Sequence, residues 1–159
     1  MTPISAILES NHIPHRVFVH DGPVHSLEQA AAARDQEPGQ VVRTILFRLS
    51  EGEYAMVLVG GPSQISWKAL RAHFGRSRLT MADRDEVLAV TGYPIGAVAP
   101  FGVPGDVPVL VDRSVLAHDE ISMGSGVRGT AIILRSADLL AALGDVPVGD
   151  FVEESESDA

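Results

Sequence analysis

Short β-rich runs interspersed with capped helices, one tight β-hairpin near the middle, and a glycine- and proline-punctuated second half predict an α+β domain. The expected architecture is a curved mixed β-sheet, or partial barrel, with helices packed around it. The hairpin is what argues against a purely parallel sheet: residues 41–49 and 54–59 are strongly β-forming and only Ser50-Glu51-Gly52-Glu53 separates them.

The elements follow in order. Thr2-Pro3 is a cap followed by proline at the first helical position, and Ile4, Ile7 and Leu8 recur at helical spacing before Pro14. Residues 16–20 form a strand ended by Asp21-Gly22-Pro23. Ser26 and Gln29 have capping-box spacing ahead of an alanine run that reaches Arg34 and is broken by Pro38-Gly39. After the hairpin, Ser66 caps a helix through Phe74, and Asp83 with Glu86 caps another to Val90, with Gly92 just past its end. Short β segments are expected at 96–99, 109–111 and 121–123, and a buried strand at 130–134. Ser136 opens a last helix that Gly144 closes. Residues 1–149 make one domain; residues 150–159, acidic and without apolar periodicity, make a disordered tail.

Composition narrows the function. Hydrophobic residues are 45% and charged residues 21% of 159, which excludes wholesale disorder. Cysteine is absent, so there is no disulfide framework, thiolate nucleophile or cysteine-ligated zinc. Net charge is −9, but Glu153, Glu154, Glu156 and Asp158 carry four of those negatives, leaving about −5 for residues 1–152. A generally basic, nucleic-acid-coating protein is excluded and DNA is not an expected partner. The start has no basic region before an apolar run, and no stretch reaches the ~18 apolar residues of a membrane helix, so a cytoplasmic protein without membrane partners is expected.

Alternation along the first hairpin strand puts Val41, Arg43, Ile45, Phe47 and Leu49 on one face and Val42, Thr44, Leu46 and Arg48 on the other. Arg43 is the misfit. A guanidinium among large apolar side chains either snorkels over the rim of the sheet or lines a pocket that takes an anionic or carbonyl-rich partner. Gly92 to Gly102 is too small-sided for an ordinary strand; its glycines let backbone approach a ligand closely, or simply turn the chain. Gly124-Ser125-Gly126-Val127-Arg128-Gly129 is either a turn or an anion-binding nest of the kind a nucleotide-binding protein uses. It is no Walker loop, since no Gly-Lys-Ser/Thr follows.

Taken in order, these segments resemble the YbaK/ProX family of aminoacyl-tRNA deacylases, which includes the editing domain inserted into bacterial prolyl-tRNA synthetases. The carriers are Ser26-Leu27-Glu28-Gln29-Ala30-Ala31, the strand Gln40-Val41-Val42-Arg43-Thr44-Ile45-Leu46-Phe47, the Gly-x-x-x-Pro loop from Gly96 to Pro100, and Val111-Asp112 with Met123-Gly124-Ser125-Gly126 and Arg128-Gly129-Thr130. The likeness spans roughly residues 3–143. It implies hydrolysis of the ester joining a wrong amino acid to tRNA, a small or noncognate one on tRNA(Pro) in particular, with no cofactor and no metal. Arg43, Gly96 and Pro100 would carry the catalytic role. Thr44, Ala97, Val98, Ala99, Phe101, Gly124, Ser125 and Gly126 would bind the substrate. In the family a lysine usually occupies the strand position of Arg43; an arginine can clamp a phosphate or carbonyl but cannot act as a base.

The partners implied are an aminoacyl-tRNA and, with it, an aminoacyl-tRNA synthetase. Lys68, Arg71, Arg76 and Arg78 lie with His73 in a run without acids, a candidate tRNA contact or a solvated helix face. A second function class fits the same residues: a non-catalytic module of this fold that binds an aminoacyl-tRNA end, an amino acid or a protein partner. His12, His15, His20 and His25 fit no zinc spacing and read as surface histidines.

Overall fold

The computed structural model describes residues 2–153. Local capping chemistry sets its helices. Helix α1 (Pro3–Ser10) begins at Thr2, whose hydroxyl accepts from the Ser5 amide while Ser5 Oγ accepts from the Thr2 amide. Ser26 caps α2 (Leu27–Ala33), Ser66 caps α3 (Trp67–Phe74), and Asp83 with Glu86 makes a reciprocal box on α4 (Arg84–Thr91). Gly75 and Gly92 end α3 and α4 in the left-handed conformation. Helix α5 (Ser136–Leu143) differs: the Ser136 hydroxyl donates to the His118 carbonyl 2.8 Å away instead of capping its own helix.

The strands are β1 (Arg16–Val19), β2 (Val42–Ser50), β3 (Glu53–Gly60), β4 (Thr80–Met81), β5 (Val109–Asp112), β6 (Glu120–Gly124), β7 (Thr130–Arg135) and β8 (Val148–Gly149). They form two sheets. One has the order β4-β2-β3-β5-β8, antiparallel across the β2–β3 hairpin and parallel from β3 through β5 to β8. The other, β1-β7-β6, is antiparallel throughout.

The α+β class and the mixed sheet stand as expected, but the curled or partial-barrel sheet does not: neither sheet closes or strongly curls. Closure would need a ladder between β2 and β6, and only one parallel bridge, Val41 to Ser122, joins them. Beyond that bridge Ser122 turns its hydroxyl to Arg34 and Gln36, and Gly124 abuts the loop at Ala97 and Val98 rather than β2. The expected β segment at 96–99 is likewise irregular loop; its apolar residues Ala97, Val98 and Ala99 are buried as loop, without a ladder.

Two apolar clusters lie on the two faces of the five-stranded sheet. Val42, Leu46, Met56 and Leu58 pack with Met123, Ile132 and α1 on one side. Phe47, Val57 and Val59 pack with Leu70 of α3 and Phe151 on the other, and Trp67 meets Phe47 edge-on at 5.4 Å between ring centroids.

Phe151 corrects the expected start of the acidic tail. It is 6% exposed, its amide donates to the buried Asp112 carboxylate at 2.7 Å, and Val152 bridges to Ile65. The chain to Glu153 therefore belongs to the packed body. The rest of the expected tail, 154–159, lies outside the described residues.

Candidate functional site

The place where the two sheets fail to join is a cavity of about 650 Å³. Its floor is apolar, formed by Val42, Leu46, Val87, Val98 and Met123 of the first cluster. Its rim is polar: His20 and Arg34 from the α2 side, Gly96 from the loop, and Gly124, Arg128 and Thr130 from the β6–β7 turn. Among the described residues no carboxylate borders it. In a chain of net charge −9 this is a local excess of positive charge.

One wall is strand edge. The Gly61 amide donates to the Val41 carbonyl at 2.8 Å, and the Ala82 amide to the Leu46 carbonyl at 2.9 Å. Odd-numbered residues of β2 therefore turn their peptide groups to β3, and even-numbered ones to the opposite edge. There β4 pairs only Phe47 and Arg48. The amide and carbonyl of Thr44 face the open edge between those contacts. Its Oγ1 is also buried, the single buried side-chain polar atom without a partner among the described residues.

The opposite wall is the loop at residues 96–100, fastened to the β6–β7 turn by the Gly126 amide donating to the Ala97 carbonyl at 2.8 Å. Arg128 Nε reaches the Ile95 carbonyl at 3.3 Å across the same junction. A Cβ on Gly124 would lie 2.3 Å from the Val98 oxygen and 2.6 Å from the Ala97 carbonyl carbon, so only glycine permits this approach. Gly96 has φ +90° and open space where a Cβ would be. Neither the Gly96 nor the Val98 amide has a hydrogen-bond partner among the described residues. Below the loop, Tyr93 Oη donates to the Phe101 carbonyl at 2.7 Å, and burial raises the Tyr93 pKa.

Arg34 ends α2 and reaches inward. Its Nε donates to His20 Nε2 at 3.1 Å and its Nη1 to Ser122 Oγ at 2.9 Å; Ser122 Oγ in turn donates to Gln36 Oε1 at 2.7 Å. Burial lowers the Arg34 pKa. His20 is held below its ordinary pKa by burial first and by the Arg34 charge second, against a smaller opposing effect of Asp21. The sign follows: between the lowered folded pKa and the ordinary value of 6.5 the unfolded chain binds more protons. Stability is present above that window and falls as pH drops through it. Melting temperature measured from pH 7.5 to 5.5 is expected to decline less steeply in His20→Gln, which keeps an acceptor for Arg34 and does not titrate; an equal slope refutes the His20 contribution.

With this geometry in hand, comparison with known proteins is decisive. The sequence profile of the aminoacyl-tRNA editing domain matches residues 21–142. The chain belongs to that family. This editing domain has the YbaK/ProX-like fold and is related to the editing domains of prolyl-tRNA synthetases. It is 34% identical over 92 residues to the proline–tRNA ligase of Kosmotoga olearia, covering 58% of this chain and 16% of that protein. To the uncharacterized protein YwhH of Bacillus subtilis it is 30% identical over 114 residues, 72% of each chain. The editing domain thus spans about a sixth of the length of the ligases it matches first. Among solved structures, a candidate trans-editing enzyme for prolyl tRNA synthetase superposes with a TM-score of 0.85 at 25% identity, over 97% of this chain and 99% of that one.

The expected site residues of the editing domain divide sharply. Thr44, Gly96, Val98 and Gly124 line the cavity. Ala97 and Ala99 are buried behind it. Pro100 and Phe101 continue the loop without lining it, and Gly126 supplies the fastening amide. Ser125 is fully buried with its hydroxyl engaged by Val127 and Thr130. The amides of Gly126 and Val127 are used within the fold, by the Ala97 carbonyl and the Ser125 hydroxyl.

Arg43 borders the cavity, but its guanidinium donates to the Gly61 carbonyl at 2.8 Å and to the Ser63 carbonyl, on the face shared with Val59 and α3. Lys68 and Arg71 are exposed on α3 and Arg78 beyond it, behind the five-stranded sheet as seen from the cavity, while Arg76 pairs with Glu53. Among the described residues no three histidine or acidic groups come together as a metal site, and no helix is long and apolar enough to cross a membrane.

The residues missed from sequence are Arg34 and Arg128. A signal existed for the first: Arg34 falls three and four positions after the buried Ala31 and Ala30, on the inward stripe of α2.

Proposed function

We propose that this editing domain hydrolyses the ester of a mischarged aminoacyl-tRNA, with the 3′ end of the tRNA in the cavity between the sheets. The observation that carries the reading is a cavity with an apolar floor, a cationic rim without a carboxylate among the described residues, and a loop wall whose Gly96 and Val98 amides have no partner there. A volume of about 650 Å³ suits an aminoacylated terminal ribose and excludes the body of a tRNA. The apolar floor takes the amino-acid side chain, which favours a small or noncognate residue such as one misplaced on tRNA(Pro).

Hydrolysis requires water to add to the ester carbonyl carbon, the bond to the ribose oxygen to break, and that oxygen to take up a proton as the amino acid departs as a carboxylate. Negative charge develops on the carbonyl oxygen, and the Gly96 and Val98 amides, unpartnered among the described residues, are the candidate donors for it. No side-chain base is assigned; the resemblance points to a hydroxyl of the substrate itself as the group that orients the water. Orientation of the ester between two fixed walls then supplies much of the acceleration.

The test is a panel of mischarged tRNAs incubated with the purified chain. Release of at least one amino acid well above the spontaneous rate is expected, with prolyl-tRNA carrying its own amino acid left intact. A panel without acceleration refutes the hydrolase reading.

A further inference from the structure

We propose that Arg34 anchors the phosphodiester next to the aminoacylated nucleotide. The inference rests on the editing reading above, and its test is chosen to separate the two.

Arg34 is a half-buried cation at the edge of the cavity, with no counter-ion among the described residues. Its partners, His20 and Ser122, are neutral hydrogen-bonding groups, and the ion pairs among the described residues use Arg16, Arg76 and Arg113 instead. A guanidinium half-buried against neutral groups has lost part of its hydration, and an anion arriving beside it recovers that cost. Two of its five N–H groups are engaged, by His20 and Ser122, which leaves the rest of the fork for oxygen ligands. The same two bonds fix the plane of the fork at the rim, so little ordering remains on binding.

The competing cations are placed otherwise. Arg43 spends its fork on the Gly61 and Ser63 carbonyls on the α3 face. Arg128 is exposed and bridges to Ile95, so its charge is already solvated. The anion that a tRNA 3′ end brings closest to the reacting ester is the phosphate on the 5′ side of the terminal nucleoside, one ribose away from the ester. A cavity holding the ester over the apolar floor presents that phosphate to the rim.

The experiment compares binding of adenosine 5′-monophosphate and of adenosine to the whole chain, by NMR titration or calorimetry at low salt. The wild type is expected to favour the nucleotide at least tenfold. Arg34→Gln abolishes the preference, and Arg43→Gln retains it. Arg34→Lys, which keeps the charge but not the fork, retains a reduced preference and guards against a glutamine variant that merely misfolds. The proposal is overturned by a wild type without preference, by a preference that survives Arg34→Gln, by one lost in Arg43→Gln, or by a folded Arg34→Lys with none. Phosphate preference without deacylation refutes the editing reading alone; deacylation without phosphate preference refutes the anchor alone.

Discussion

Gly124→Ala is expected to lower stability by about 3 kcal/mol, at the upper end for overpacking a closed contact, and to remove most deacylase activity. The added methyl would meet the Val98 oxygen at 2.3 Å and the Ala97 carbonyl at 2.6–2.7 Å. These are main-chain atoms, which cannot swing aside as a flexible side chain does. To admit the methyl, the 96–100 loop must part from the β6–β7 turn, breaking the Gly126–Ala97 hydrogen bond and moving the unpartnered amides of the cavity-lining Gly96 and Val98. For a chain of this size the loss corresponds to a melting temperature lower by about 6–12 °C. Gly96→Ala is the internal comparison. Its methyl would enter open space, and the cost of a positive φ for alanine is about 1–2 kcal/mol. A Gly124 variant no less stable than the Gly96 variant would disprove the close approach of loop and turn.

Thr44→Val is expected to separate stability from function. Valine keeps the shape of threonine and removes the buried Oγ1 that has no partner, so the variant gains about 1 kcal/mol, the lower bound of the penalty for an unsatisfied buried hydroxyl. Thr44 stands on the open edge of β2 and borders the cavity. A rotation about χ1 brings the hydroxyl to the substrate, where it gains its missing partner. Deacylation should fall at least tenfold in kcat/KM, about 1.4 kcal/mol of transition-state stabilisation. Urea unfolding and single-turnover deacylation on the same preparation check both halves. Unchanged activity in a stabilised variant removes Thr44 from the site.

What the sequence made legible was local. The caps at Thr2, Ser26, Ser66 and Asp83 and the stop at Gly92 depend on residues within one turn, and each of these helices begins where its cap stands. The hairpin was legible for the same reason. Strands β4 and β8, two residues each, were not, because neighbouring strand edges create them rather than any periodicity of their own. The two faces of β2 followed correctly from alternation, yet Arg43, which borders the cavity, spends its guanidinium on the Gly61 and Ser63 carbonyls. Which face of a strand borders open space depends on helices far along the chain, here α3 behind Phe47. Arg34 left only the inward stripe of α2 as a signal, because its partner Ser122 lies 88 positions away.

The unfinished seam between β2 and β6 has an evolutionary corollary. The part of this socket that is built of peptide groups, here the 96–100 loop, outlasts exchange of its side chains, because mutation cannot delete an amide short of introducing proline. Such a scaffold can wander in its charged residues, arginine for lysine included, while selection bears chiefly on the small residues that let two stretches of backbone lie side by side.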